Sequence, residues 1–176
     1  MKKRIIHTVE EADQIVEAVT RSAKKALEQI SRLPTATALR TLWAMKSDKV
    51  GFDPLNAETP LNLIEQLNQT FTYVASAKAA KVLLTLHPEL APFTLNLGTI
   101  SGTDIESANG VGVAAEVFAA VNTTNNKKLM KDIVKVGLCA ARYKYVFFMC
   151  PGYGPGRQSR LETREDVEVW SVGESI

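Results

Sequence analysis

The sequence predicts an α/β protein in which a mixed sheet is flanked by helices, ordered helix, strand, strand, strand, helix, strand, behind an N-terminal helical extension. Three observations carry that expectation. Two long segments, before Pro34 and after Pro60, repeat apolar residues at three- and four-residue spacing. From Phe93 the period changes to two, with Phe93, Leu95 and Leu97 alternating with Thr94 and Asn96. The run from Val111 to Val121 is small, apolar and nearly continuous, as in a central strand covered on both faces. With 176 residues and 45% hydrophobic content, the chain is large enough for one domain with an appendage. The reading assigns residues 1–60 to the extension and 61–176 to the core.

Each element has a local reason. Val9 to Ser31 reads as a helix because Thr8 and Glu11 have the spacing of a capping box, and because Ile15, Val16, Val19, Ala23, Ala26, Leu27 and Ile30 form one stripe. Ala38 to Met45 is a short second helix, and Lys46 to Pro60, with Asp53-Pro54 and Thr59-Pro60, an irregular connection. Leu61 to Leu86 is a long helix closed by His87-Pro88. Thr99 to Ser107 is the second strand, and Ala108-Asn109-Gly110 turns the chain into the third. Lys127 to Tyr143 is helical, Tyr145 to Cys150 is a buried strand, PGYGPG breaks regular structure, and Val167 to Val172 adds an edge strand.

Composition excludes several classes of function. No run reaches the roughly 18 apolar residues of a membrane span. The start, MKKRIIHTVEEAD, lacks the apolar stretch of a secretory signal, so a cytoplasmic protein without a membrane partner is expected. Cys139 and Cys150 lie among apolar residues and read as reduced core thiols. Two histidines, His7 and His87, give little support to a zinc cluster or a histidine triad. PGYGPGRQSR lacks the GxxxxGK[ST] pattern of a phosphate loop.

The chemistry concentrates in SGTDIESANGVGVAAEVFAAVNTTNNKKLMKDI. Asp104 and Glu106 share one strand face, and Glu116 is the one charged residue between Val111 and Val121. A turn at Asn109-Gly110 pairs these strands antiparallel and sets Asp104 and Glu116 six residues to either side, opposite each other on one face. Two carboxylates so placed repel unless a cation lies between them, and Mg²⁺ prefers a few carboxylate oxygens with water and phosphate. Glu106 also reads as a surface charge beside the turn, and Glu116 as a structural hydrogen-bonding group.

On the following helix Lys127, Lys131, Lys135 and Arg142 fall in one sector with Lys128 beside it, opposite Leu129, Met130, Ile133, Val136, Gly137 and Ala140. Such a face is either a solvated surface or a contact for a phosphate backbone. Asp132 interrupts it only modestly. Glu65, near the start of the long helix, fits a helix-terminus charge or a further metal ligand.

These residues resemble the PD-(D/E)XK nuclease superfamily, the restriction-endonuclease-like fold, over roughly residues 61 to 150. The resemblance implies that Asp104 matches the aspartate ending the second core strand, that Glu116 opens the Glu-x-Lys triplet, and that Glu65 matches an added ligand on the preceding helix. It departs at Thr103, where the family often has proline, and at Phe118, which occupies the lysine position. It further implies a Mg²⁺-dependent DNA endonuclease, Mn²⁺ substituting, with Asp104, Glu116 and Glu65 on the metal and Lys128, or Lys127, replacing the missing lysine. The basic residues would contact DNA phosphates, and a homodimer is expected. The alternative is a catalytically inactive domain on the same scaffold that binds nucleic acid or protein.

Overall fold

The computed structural model describes residues 2–33, 37–98 and 102–176. They form two compact units, Met1–Ala12 with Ala75–Ile176, and Asp13–Val74. In chain order the elements are β1 (Lys3–Ile6), α1 (Val9–Ser31), α2 (Ala38–Ser47), β2 (Gly51–Asp53), β3 (Asn56–Leu61), α3 (Leu63–Leu86), β4 (Phe93–Asn96), β5 (Ile105–Ser107), β6 (Val113–Ala119), α4 (Lys128–Gly137), β7 (Tyr143–Met149), β8 (Gly156–Arg157) and β9 (Glu168–Ser171). This is a mixed α/β architecture with a mixed sheet flanked by helices. Part of the strand expected at Thr99 to Ser107, residues 99–101, lies outside the described residues.

The capping box at the start of α1 is formed: Glu11 N–H donates to Thr8 Oγ1 at 3.3 Å, and Thr8 N–H donates to Glu11 Oε2 at 3.4 Å. In the unit Asp13–Val74, β2 and β3 pair antiparallel where the sequence suggested an irregular connection. Its interior is polar at one point. Ser22 Oγ donates to Asp53 O, Gln66 Nε2 donates to Ser22 Oγ, and Gln66 Oε1 accepts from Phe52 N–H.

The other unit is built on a seven-stranded sheet ordered β1-β4-β5-β6-β7-β9-β8. The pairs β1–β4, β4–β5 and β5–β6 are antiparallel, while β6–β7 and β7–β9 are parallel. A parallel pair needs a crossover, and α4 supplies it between β6 and β7. The segment expected as an edge strand, β9, lies inside the sheet because the short β8 pairs with its outer side.

α4 packs on one face through Leu129, Ile133 and Val136, which meet Ala114 and Phe118 of β6, Val146 and Phe148 of β7, and Val169 of β9. The opposite face of β7 is also closed: Tyr145 stacks on Phe147, and its hydroxyl lies 2.7 Å from His87 Nε2. Burial on both faces explains why β6 and β7 read as continuous apolar runs. It also makes Glu116, 2% exposed, an exception that requires a local partner.

Candidate functional site

The site begins with the turn between β5 and β6. Asn109 Oδ1 accepts from Val111 N–H and Gly112 N–H, and Ser107 Oγ accepts from Gly112 N–H and Val113 N–H. Gly110 adopts φ +67°, a left-handed conformation that suits glycine. Gly112 leaves no room for a side chain, since a β-carbon there would meet Ser107 Oγ at 2.8 Å. These contacts fix the register at Ile105 opposite Ala115 and Glu106 opposite Ala114. Continued by one residue, the register sets Asp104 opposite Glu116, on the face that α4 covers. Asp104 Oδ2 also accepts from Val117 N–H at 2.8 Å.

α4 brings the counter-charges. Lys135 Nζ approaches Glu116 Oε1 to 2.7 Å as an ion pair outside hydrogen-bonding angles. Two turns earlier, Lys128 Nζ donates to Asp132 Oδ1 at 2.6 Å. The spacing 128, 132, 135 lines one stripe of a helix, so one face presents a lysine, a carboxylate and a second lysine. Asp132, 2% exposed, belongs to the buried cluster and does not merely interrupt a basic face.

The electrostatics follow from crowding. Burial, then the neighbouring Asp104 charge, pushes the Glu116 carboxyl up to about 7 against the opposing pull of Lys135. Burial likewise raises Asp104 and Asp132, with the lysines opposing it. Burial disfavours the Lys135 ammonium, but Glu116, Asp104 and Asp132 together hold its pKa above the usual lysine value.

Other residues proposed from the sequence fall elsewhere. Lys127 and Lys131 are exposed, whereas Lys128 and Lys135 turn toward carboxylates, so the basic sector divides in two. Arg142 is not on the helix at all: α4 ends at Gly137, and the Arg142 guanidinium stands 5.0 Å from the centre of the Tyr143 ring. Glu65 belongs to the unit Asp13–Val74, where its backbone N–H bonds Asn62 Oδ1 and its carboxylate accepts from Asn62 Nδ2, a cap for α3. Phe118 is 4% exposed and stacks on Phe148, with ring centres 5.9 Å apart. Its position is core.

Sequence reasoning missed Asp132 and Asn96. The signal for Asp132 was its four-residue spacing from Lys128; the signal for Asn96 was its place on the polar side of the β4 alternation. Among the described residues no three His, Cys, Asp or Glu side chains gather as a metal-binding group. Asp104 and Glu116 fit an ion held by two protein carboxylates, with water or phosphate completing its shell, as Mg²⁺ prefers. Among the described residues, no helix is long and apolar enough to cross a membrane. No protein-family model matches the chain, and neither the curated proteins nor the solved structures contain a significant match.

Proposed function

We propose that the chain is a divalent-metal-dependent DNA endonuclease on a restriction-endonuclease-like core of the PD-(D/E)XK type. One observation carries the reading: the turn-fixed register sets Asp104 opposite Glu116, and Lys135 Nζ stands 2.7 Å from that glutamate. The run α3, β4, β5, β6, α4, β7, with only β5 reversed among β4, β5, β6, β7 and β9, also supports it.

Asp104 and Glu116 would hold the ion, which supplies Lewis acidity toward water and the phosphodiester. The chain's own residues do the rest. Lys135 replaces the side chain that Phe118 cannot provide, a role the sequence assigned to Lys128. Its half-exposed ammonium can leave Glu116 and face a phosphate without rebuilding the core. Lys131, exposed on the same helix, and Lys127, exposed just before its first turn, attract the DNA backbone. Glu65 caps its own helix and is not needed as a ligand.

Incubation of supercoiled double-stranded DNA with the protein and Mg²⁺ tests this reading. Metal-dependent nicking or linearisation is expected, abolished in Asp104→Asn and Glu116→Gln. Lys135→Met should cut about 10²–10³-fold more slowly, as for loss of one electrostatic stabiliser. A homodimer, expected on this reading, is checked by sedimentation. A binding domain without catalysis is the second reading, favoured by Glu116 and Asp132 already being paired with lysines. DNA binding without cleavage in either Mg²⁺ or Mn²⁺ would select it.

A further inference from the structure

We propose that Lys128 and Lys135 are displaceable counter-ions of an all-oxygen divalent-cation site formed by Asn96, Asp104, Glu116 and Asp132, so that cation binding releases both lysines toward an anionic substrate. The inference rests on reading the site as a divalent-cation centre, and it adds two donors and a regulatory coupling.

The donors follow from the sheet. Leu95 lies opposite Ile105, so the next pair sets Asn96 opposite Asp104, and Asn96 N–H donates to Asp104 O at 2.8 Å. Asn96, Asp104 and Glu116 therefore stand in a row across β4, β5 and β6, on the face beneath α4. Asn96 is 6% exposed, and its amide orientation is set because Nδ2 donates to Thr103 O at 2.7 Å. Its Oδ1 is left without a donor among the described residues, and so is Oδ2 of the buried Asp132. Buried acceptors without donors are uncommon and call for an explanation such as an ion or water. Both orphans are hard oxygens, Asn96 in register with Asp104 and Asp132 close enough to Asp104 and Glu116 to be repelled by them, the donor chemistry of Mg²⁺, Mn²⁺ or Ca²⁺.

Charge and mobility point the same way. Three carboxylates and two ammonium groups leave the cluster with one net negative charge when all are ionised. The carboxylates are locked in, with Glu116 and Asp132 side chains 2% and 3% exposed, whereas the Lys135 and Lys128 side chains are 50% and 44% exposed. The lysines are the partners that can leave. Among the described residues no three acidic groups gather as a metal-binding set, so cation binding has to draw Asp104, Glu116 and Asp132 together as the lysines leave. Once released, they join Lys131 on α4, with Lys127 just before the helix, as a basic surface for phosphates. Cation and phosphate then favour each other's binding, and the coupling is reciprocal.

Isothermal titration with Mn²⁺ on wild type, Lys135→Met and Asn96→Ala tests the exchange, with the Lys Nζ resonances of wild type followed by NMR during a Mg²⁺ titration. Lys135→Met should bind Mn²⁺ at least about tenfold tighter, because a competing cation is gone. Asn96→Ala should bind about tenfold weaker, and two Lys Nζ resonances in wild type should move to the free-lysine position as Mg²⁺ is added. The NMR arm stands even if Lys135→Met fails to fold. Wild-type binding with unchanged or weaker affinity in Lys135→Met and static Lys resonances would overturn the exchange while leaving the metal-site reading intact. Absence of binding in both proteins would overturn both.

Discussion

Glu116 is the residue on which the site turns. Burial, then the Asp104 charge, pushes its carboxyl from the ordinary 4.5 up to about 7, so the folded state holds that proton more tightly than the unfolded chain. Between those pH values the native state binds more protons, and stability falls as pH rises from about 4.5 through about 7. Chemical unfolding of Glu116→Gln across this range should show a shallower fall than wild type, with Asp104 and Asp132 supplying what remains. Identical slopes would mean that Glu116 is not held in a raised state. Phe118 makes the complementary case. Phe118→Lys writes the Glu-x-Lys triplet of the proposed family but drives an ammonium into the cluster that holds Phe148 and Leu129. It should destabilise the protein by about 3–5 kcal/mol, as core truncations and unpaired buried charges do, and should not raise cleavage. Wild-type stability with higher activity would show that the triplet position is the true cation site. At this scale the sequence displayed the Asp104–Glu116 pair clearly, because the count from the turn was the register. The pairing of Lys128 with Asp132 and of Lys135 with Glu116 was not legible, because a helical wheel without a docked sheet cannot tell which side of either lysine meets a carboxylate.

Among the elements, the β5–β6 turn sets the site. Asn109→Ala removes the acceptor for two backbone amides and should cost about 1–3 kcal/mol, read from urea unfolding. A loss within error would mean that the register is held elsewhere. Elements announced by chemistry were legible, such as α1 with its Thr8–Glu11 box and the period change at Phe93. Elements whose logic is tertiary were not. Pro60 looked like a breaker, yet it lies opposite Phe52 in a two-stranded ribbon, where each strand is an edge and a missing N–H is tolerated. β1 is four residues, of which only Ile6 is buried, too short and too exposed to announce a strand. In α3 the apolar Ile64, Leu67 and Phe71 are exposed, while Gln66 and Thr70 are buried. Gln66 is inside because it serves Phe52 N–H and Ser22, which periodicity alone cannot reveal. Arg142 was joined to α4 because Gly137 was read as helix interior and not as its last residue.

Across the whole molecule, a net charge of +2 does not announce a nucleic-acid partner, and the proposed DNA contact rests on individual lysines. Lys127 and Lys131 are the exposed pair, so Lys127→Ala with Lys131→Ala should weaken DNA binding and lower the salt slope by about 2, at about 0.9 per phosphate contact. An unchanged slope in fluorescence anisotropy would assign them to solvent. The order of helices and strands was legible because each element carried its own period. The place of β9 inside the sheet was not, because it depends on two residues of β8 returning to cover its edge.

A divalent-cation site at Asp104 and Glu116 is tested by thermal unfolding with and without saturating Mn²⁺, on wild type and Glu116→Ala together. At about 100 times the dissociation constant a site-bound ion stabilises by about 2.7 kcal/mol, which in a chain of this size raises Tm by on the order of 5–10 °C. The account predicts that rise in wild type and its loss in Glu116→Ala. No metal-dependent shift in wild type, or an equal shift in both proteins, would contradict it.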